Sequence, residues 1–181
     1  MVLSLVKPPL AFSEPILIKS FIKVYESAPD TRLVIVGDGP DIKRLQSVSK
    51  SHLPDKKIIF AGFISNEEKP LYYQMANIFL FSSLTDTQGI VILEAMASGL
   101  PIVALKDNAF EGALINKLNG FTVSNSNETD FANKTLKILK DAEFRLKLGE
   151  KSLEIVNRFS EENLAKKMIN LYSTLISNAS R

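Results

Sequence analysis

The chain has 181 residues, 45% of them hydrophobic, a formal net charge of +2, a single histidine and no cysteine. That length supports one domain with a sizeable core and is short for two. Near-neutral charge without an RNA- or DNA-binding motif argues against a nucleic-acid partner, while the lack of cysteine and the lone His52, read as a surface loop residue, exclude disulfides and Cys- or His-cluster metal sites.

In chain order, residues 2–6 read as a weak first strand, too short and uncharged to be a leader. Residues 14–27 follow as a helix, with Ile16, Ile18, Phe21, Ile22 and Tyr25 near helical spacing and Ser13 placed to cap it. Strands at 33–36 and 58–61 flank a helix at 41–49. A further helix follows Ser65, its start blurred by Pro70. The apolar run 77–81 reads as a buried strand, and 90–97 as an apolar helix that opens at Gly89 and is closed by Gly99 and Pro101. Strands at 102–105 and 121–123 complete a set of about six. The pattern then turns helical, at 130–140, 142–157 and 161–177, with Ser160 capping the last. Pro8-Pro9 and the Asn/Ser cluster at 124–127 are loops.

This alternation predicts an α/β fold: a doubly wound, Rossmann-like parallel sheet covered on both faces and followed by C-terminal helices. The expectation is one domain over 1–181, with 127–181 as its helical end. Such sheets bind ligands beyond the carboxyl ends of their strands, so the turns at 7–14, 37–40, 62–65, 84–89 and 106–112 should face one cleft. No apolar run approaches the roughly 20 residues of a membrane span. A soluble, cytoplasmic chain is expected.

The densest chemistry lies in Leu84-Thr-Asp-Thr-Gln-Gly-Ile-Val-Ile-Leu-Glu-Ala-Met-Ala-Ser-Gly-Leu-Pro101, which sets Asp86 and Glu94 at the two ends of one loop-to-helix turn. A helix opening directly after a strand presents backbone N–H groups and a positive dipole end, suited to a phosphate or a sugar oxygen. Glu94 interrupts a face of Ile, Val, Leu, Ala and Met. A carboxylate buried there needs hydrogen-bond partners, which a pair of ribose hydroxyls or a structural pairing within the protein would supply. Gly37-Asp-Gly-Pro40 is neither a Walker loop nor a dinucleotide fingerprint; its turn chemistry favours a tight strand-to-helix turn over a phosphate cradle at Gly37 and Gly39.

The segment from Asp86 to Ala104 resembles the Glu-x7-Glu signature of retaining glycosyltransferases of the family-4 type, which have the two-domain GT-B fold. Leu33-Val-Ile-Val-Gly-Asp-Gly-Pro40, Ile58-Ile-Phe-Ala-Gly-Phe63, Asn119-Gly-Phe121 and Phe159-Ser160 fall in the family's order. What they match is the C-terminal, donor-binding half of enzymes about twice this long, so the resemblance implies one half of a GT-B fold and an N-terminal acceptor domain or subunit as partner. It further implies that Asp86 is the catalytic-site acid that hydrogen-bonds the donor sugar and that Glu94 binds the nucleotide ribose. Thr87, Gln88, Gly89, Ile90 and Val91 surround the sugar and distal phosphate, the last four offering backbone amides, and Phe63 and Ile64 hold the base through their main chain. No cofactor and no metal are expected; the donor is a nucleoside diphosphate sugar, with a UDP-hexose favoured.

Two positions depart from the family. Asp86 stands where Glu is usual. After the first strand the family has an Arg and, about five residues on, a Lys to neutralise the diphosphate; here Lys7 takes the Arg position without a bidentate fork, and Phe12 or a neighbour fills the other. The reaction implied is transfer of a hexose to an acceptor hydroxyl with retention; the alternative is a non-catalytic or degenerate subunit that binds the nucleotide sugar or stabilises a partner. A phosphoacceptor receiver module lacks its acidic cluster here. The Thr-Gln-Gly variant and Lys106-Asp-Asn-Ala-Phe look more like enzymes that glucosylate diacylglycerol. Lys134, Lys137 and Lys140 share one helix face, which is ordinarily a solvated face and alternatively a peripheral contact with anionic lipid at the inner face of a membrane.

Overall fold

In the computed structural model, the described residues are 1–5, 14–39, 42–83, 89–106, 110–124 and 127–179. Lys7, Phe12 and Ser13, and likewise Asp86, Thr87 and Gln88, lie outside them.

Short β-branched and aromatic runs form the strands: β1 (Val2–Leu5), β2 (Leu33–Val36), β3 (Ile58–Gly62), β4 (Ile78–Phe81), β5 (Ile102–Leu105) and β6 (Gly120–Val123). They pair in parallel in the order β3-β2-β1-β4-β5-β6. The order reverses direction after β3, so the connecting helices fall on opposite faces, as right-handed crossovers require. The expected doubly wound sheet is therefore present.

Strand periodicity divides the core in two. Val2, Leu33, Ile35, Ile78, Leu80, Val103 and Leu105 point to one face, beneath α1 (Glu14–Ser27), α2 (Ile42–His52) and α5 (Glu128–Lys140). Leu3, Val34, Val36, Phe79, Phe81, Ile102 and Ala104 point to the other, beneath α3 (Lys69–Met75) and α4 (Ile90–Ala97). The long α6 (Ala142–Val156) joins them, with Leu148 in the first core and Ile155 in the second. A 3₁₀ turn, Asn157–Phe159, leads to α7 (Glu161–Ala179), where Ser160 caps the helix by accepting from the Asn163 N–H at 3.3 Å.

Two local readings are corrected and a third is refined. His52 is not in a loop; α2 continues to it, and Lys50 and His52 put basic groups at the helix carboxyl end, where the dipole favours them. The start of α3 is not blurred by Pro70. Ser65 and Glu68 close the turn that leads into it, the Ser65 N–H donating to Glu68 Oε2 at 2.9 Å and the Glu68 N–H to Ser65 Oγ at 3.3 Å; Glu68 is the N-cap, and proline in the first turn forfeits no helical bond. The lysine face of α5 is partly occupied within the fold. Lys134 donates to Asp130 Oδ2 at 2.6 Å and the Thr122 carbonyl at 2.9 Å, and Lys137 lies over the Phe121 and Phe144 rings at 5.5 and 5.4 Å.

Candidate functional site

Because all six strands run parallel, the turns that follow them collect along one edge of the sheet. Gly37 and Gly39 follow β2, Phe63 and Ile64 follow β3, and Gly89, Ile90 and Val91 open α4 after β4. The first two groups are tied directly: the Gly37 N–H donates to the Gly62 carbonyl at 2.8 Å. Asp38 Oδ1 accepts from the Gly39 N–H at 2.8 Å, a local turn bond of the kind that Gly37-Asp-Gly suggests. Ile64 is buried in the second core, whereas the Phe63 ring is 85% exposed.

The entry to α4 is set by Gly89, whose φ of 59° is left-handed and disfavours a side chain. The Gly89 carbonyl accepts from the Ile92 and Leu93 N–H groups at 2.9 and 3.3 Å, and the amino end of α4, with its positive dipole end, lies at the sheet's carboxyl edge. At its other end α4 stops in a Schellman motif: the Leu100 N–H donates to the Ala95 carbonyl at 3.1 Å and the Gly99 N–H to Met96 at 2.9 Å. Both ends of this eight-residue helix are thus fixed by glycine geometry.

Glu94 lies on the partly exposed side of α4, its side chain 32% accessible, and is less buried than its apolar neighbours suggest. The outward face of α4, with Ile90 and Ala97, is not covered. Its carboxylate has protein partners. The Tyr73 hydroxyl donates to Glu94 Oε2 at 2.8 Å, with the Val91 carbonyl at 3.3 Å, and Lys69 Nζ stands 3.6 Å from Oε1. Burial first, and then the hydrogen bond and charge of Glu94, hold the Tyr73 phenol well above its ordinary range, so it keeps the proton that it donates to Glu94. Sequence reasoning missed both partners, although their four-residue spacing on a short helix places them on one face.

Beyond Glu94 an open groove of about 620 Å³ runs between α4 and the joint of α6 and α7, lined by Leu93, Ala97, Leu153, Val156 and Phe159 among others. Asn119, read only as part of a family block, is fully buried. It accepts from the Ile115 N–H at 2.8 Å and donates to the Ala113 carbonyl at 2.9 Å, bracing the β5–β6 connection. Among the described residues, no cluster of His, Asp and Glu could hold a metal ion.

The model of the family described as glycosyl transferases group 1 matches residues 15–154, spanning every element from α1 to most of α6. The chain belongs to this family. Among curated relatives, the alpha-monoglucosyldiacylglycerol synthase of Acholeplasma laidlawii is 34% identical over 160 residues, covering 88% of this chain and 40% of that protein. The synthase of the same name from Streptococcus pneumoniae is 31% identical, with 88% and 35% coverage. The chain therefore spans well under half the length of either. Among solved structures, the C-terminal domain of a glycosyl transferase group 1 family protein from Francisella tularensis superposes with a TM-score of 0.78 at 26% identity, over 86% of this chain and 84% of that one. The six-stranded sheet with its C-terminal helices is consistent with one half of a GT-B fold.

Proposed function

We propose that this chain is the donor-binding half of a retaining hexosyltransferase. It binds a nucleoside diphosphate sugar and, with an N-terminal acceptor domain or subunit, transfers the hexose to an acceptor hydroxyl. The observation that carries this reading is the geometry of α4: an N-terminus opened by Gly89 at the carboxyl edge of a parallel sheet, with a part-exposed carboxylate, Glu94, just over one turn along.

In this reading the α4 amides and dipole stabilise negative charge on the departing diphosphate, while Glu94 accepts from the ribose hydroxyls. The main chain at Phe63 and Ile64 holds the base. Gly37 and Gly39 shape the neighbouring wall. Asp86 meets the donor sugar, Thr87 and Gln88 flank it, and Lys7 faces the diphosphate. The bond from the anomeric carbon to the diphosphate oxygen breaks with its electron pair on that oxygen, the acceptor oxygen bonds the anomeric carbon on the same face, and the acceptor's proton passes to the departing diphosphate. Positioning and charge stabilisation are the protein's contribution, with no metal required.

The names of the two synthases make a glucosyl donor and a diacylglycerol-type acceptor the first choice, and the sequence resemblance favours UDP as the donor's nucleotide. Among the described residues no helix is long and apolar enough to cross a membrane. A cytoplasmic enzyme touching the inner membrane face would meet its lipid through the acceptor half, since Lys134 and Lys137 are already engaged. The sequence at Lys7 and Phe12, with one of two usual cations replaced, favours a second reading: a subunit that binds the donor without transferring it.

Calorimetric titration with UDP, GDP, ADP and UDP-glucose, without metal, tests the proposal on the native chain and on Glu94→Ala. Binding of one diphosphate, weakened at least about tenfold in the variant, is expected. Absence of binding at millimolar nucleotide would refute it.

A further inference from the structure

Glu94 is held by two residues of α3 that no part of the signature contains. Lys69 opens α3 and Tyr73 lies four residues on, so both project from one face of a seven-residue helix towards α4. The Tyr73 ring is buried and packs against Phe79 at 5.8 Å between centroids, which fixes where its hydroxyl stands. The turn that leads into α3 is closed by the two Ser65–Glu68 hydrogen bonds.

We propose that Tyr73 and Lys69 are positioning residues, which hold the Glu94 carboxylate so that its remaining lone pairs face the cis-diol of a nucleoside ribose. This rests on the donor-site reading above. A purely structural phenol buried at this place needs only one acceptor, and the Val91 carbonyl lies within reach at 3.3 Å. Yet the shorter bond, 2.8 Å, goes to a carboxylate that is one-third exposed. Tyr73 thereby takes one acceptor site of Oε2. Lys69, at 3.6 Å from Oε1, lies beyond hydrogen-bond distance and acts through charge. An ionised carboxylate offers about four acceptor sites, so most of them remain open on the solvent side.

The open sites also define the ligand chemistry. Glu94 accepts from Tyr73, and a ligand that completes the shell of a carboxylate must donate to it. A phosphate cannot; it carries like charge and no proton at neutral pH that would serve. A vicinal diol can give two hydrogen bonds to one carboxylate, and does so best when that carboxylate cannot rotate. Tyr73 removes that rotation from one side and Lys69 from the other.

The test uses UDP and its 2′,3′-dideoxyribose analogue, titrated calorimetrically into the 181-residue chain. Wild type is expected to prefer UDP by about tenfold or more. Tyr73→Phe removes one oxygen from a buried ring and should keep circular dichroism and a cooperative melt. It is expected to lose that preference, with UDP affinity falling to within about twofold of the analogue and the analogue's own affinity unchanged. Lys69→Met, on a more exposed side chain, should lower UDP affinity by about threefold and leave the analogue alone. Undiminished preference in both variants would overturn the proposal, and so would equal weakening of both ligands, which marks ordinary packing damage. Failure of the wild type to bind UDP, or to prefer it, overturns the donor-site reading itself and this inference with it; failure confined to the variants overturns the positioning role alone.

Discussion

Gly149→Ala should destabilise the protein, although glycine-to-alanine changes within helices ordinarily stabilise. A Cβ built on Gly149 would lie 2.3 Å from the Gly99 carbonyl oxygen, a backbone atom that no rotamer change can move aside. Restoring an ordinary contact requires α6 to lift from the α4–β5 turn by about 1 Å. One turn along the same face, Ser152 Oγ donates to the Leu100 carbonyl at 2.7 Å, and that buried bond would stretch as well. Overpacking of this kind costs about 1–3 kcal/mol, and loss of a buried hydrogen bond adds about 1 kcal/mol. Better helix propensity returns about 1 kcal/mol, leaving a net loss of about 1–3 kcal/mol. Urea denaturation should show a lower midpoint at unchanged slope, and the melting temperature should fall by about 2–4 °C for each kcal/mol. Glu150→Ala, on the exposed side of α6, is the control and should move stability by no more than about 0.5 kcal/mol. A Gly149→Ala protein as stable as wild type, or more so, would refute the claim that α6 seats directly on the turn that ends α4.

Three further outcomes are expected. The Ser20 hydroxyl is, among the described residues, buried without a hydrogen-bond partner, so Ser20→Ala should raise stability by about 0.5–1 kcal/mol in urea titrations; a loss would mean the hydroxyl is satisfied. Tyr73 retains its proton in the folded state above the ordinary phenol range, so its stabilising contribution is complete below about pH 10 and declines as pH rises beyond it. In alkaline denaturation, wild type should therefore lose about 1.4 kcal/mol per pH unit more than Tyr73→Phe, and parallel curves would contradict this. On α7, Leu164, Leu171, Tyr172 and Leu175 are exposed, and changing Leu171 and Leu175 to Gln should alter stability by no more than about 0.5 kcal/mol each; a larger loss would show that α7 packs on the body of the domain.

The sheet was legible because its strands are short, almost wholly apolar and separated by helices of clear period, and nothing in the tertiary structure overrides that pattern. Helix ends were less so. The Ser65-x-x-Glu68 signal was present in the sequence, but Pro70 obscured it, and α2 runs on to His52 because no glycine or proline stops it sooner. Around the candidate site, Gly89 and Glu94 could be placed from local pattern alone, since a strand-to-helix turn and an acid among aliphatics are both local features. Tyr73 could not. Its aromatic body fits any apolar helix face, and only the packing of α3 against α4 turns its hydroxyl towards a residue 21 positions away. The degree of burial at Glu94 was similarly out of reach, because it depends on which side of α4 the neighbouring helices leave open.

These placements have a common physical origin in α4. An eight-residue helix has little stability of its own, so its position must come from what holds it. At the amino end, Gly89 sets the angle at which the chain leaves the sheet. At the carboxyl end, the Schellman turn at Gly99 meets α6 through a contact that only glycine at 149 permits. Along its side, Tyr73 and Lys69 fix the one charged group that α4 carries. A shift at either end would move the helix amides, and loss of the α3 contacts would move the Glu94 carboxylate. A ligand that needs both, an anion at the amides and a hydroxyl pair at the carboxylate, would sense such a shift more sharply than the overall stability does. Substitutions at Gly149 and Tyr73 should accordingly separate: Gly149→Ala lowers the melting temperature and weakens UDP and its dideoxyribose analogue alike, whereas Tyr73→Phe keeps a cooperative melt and lowers discrimination for ribose.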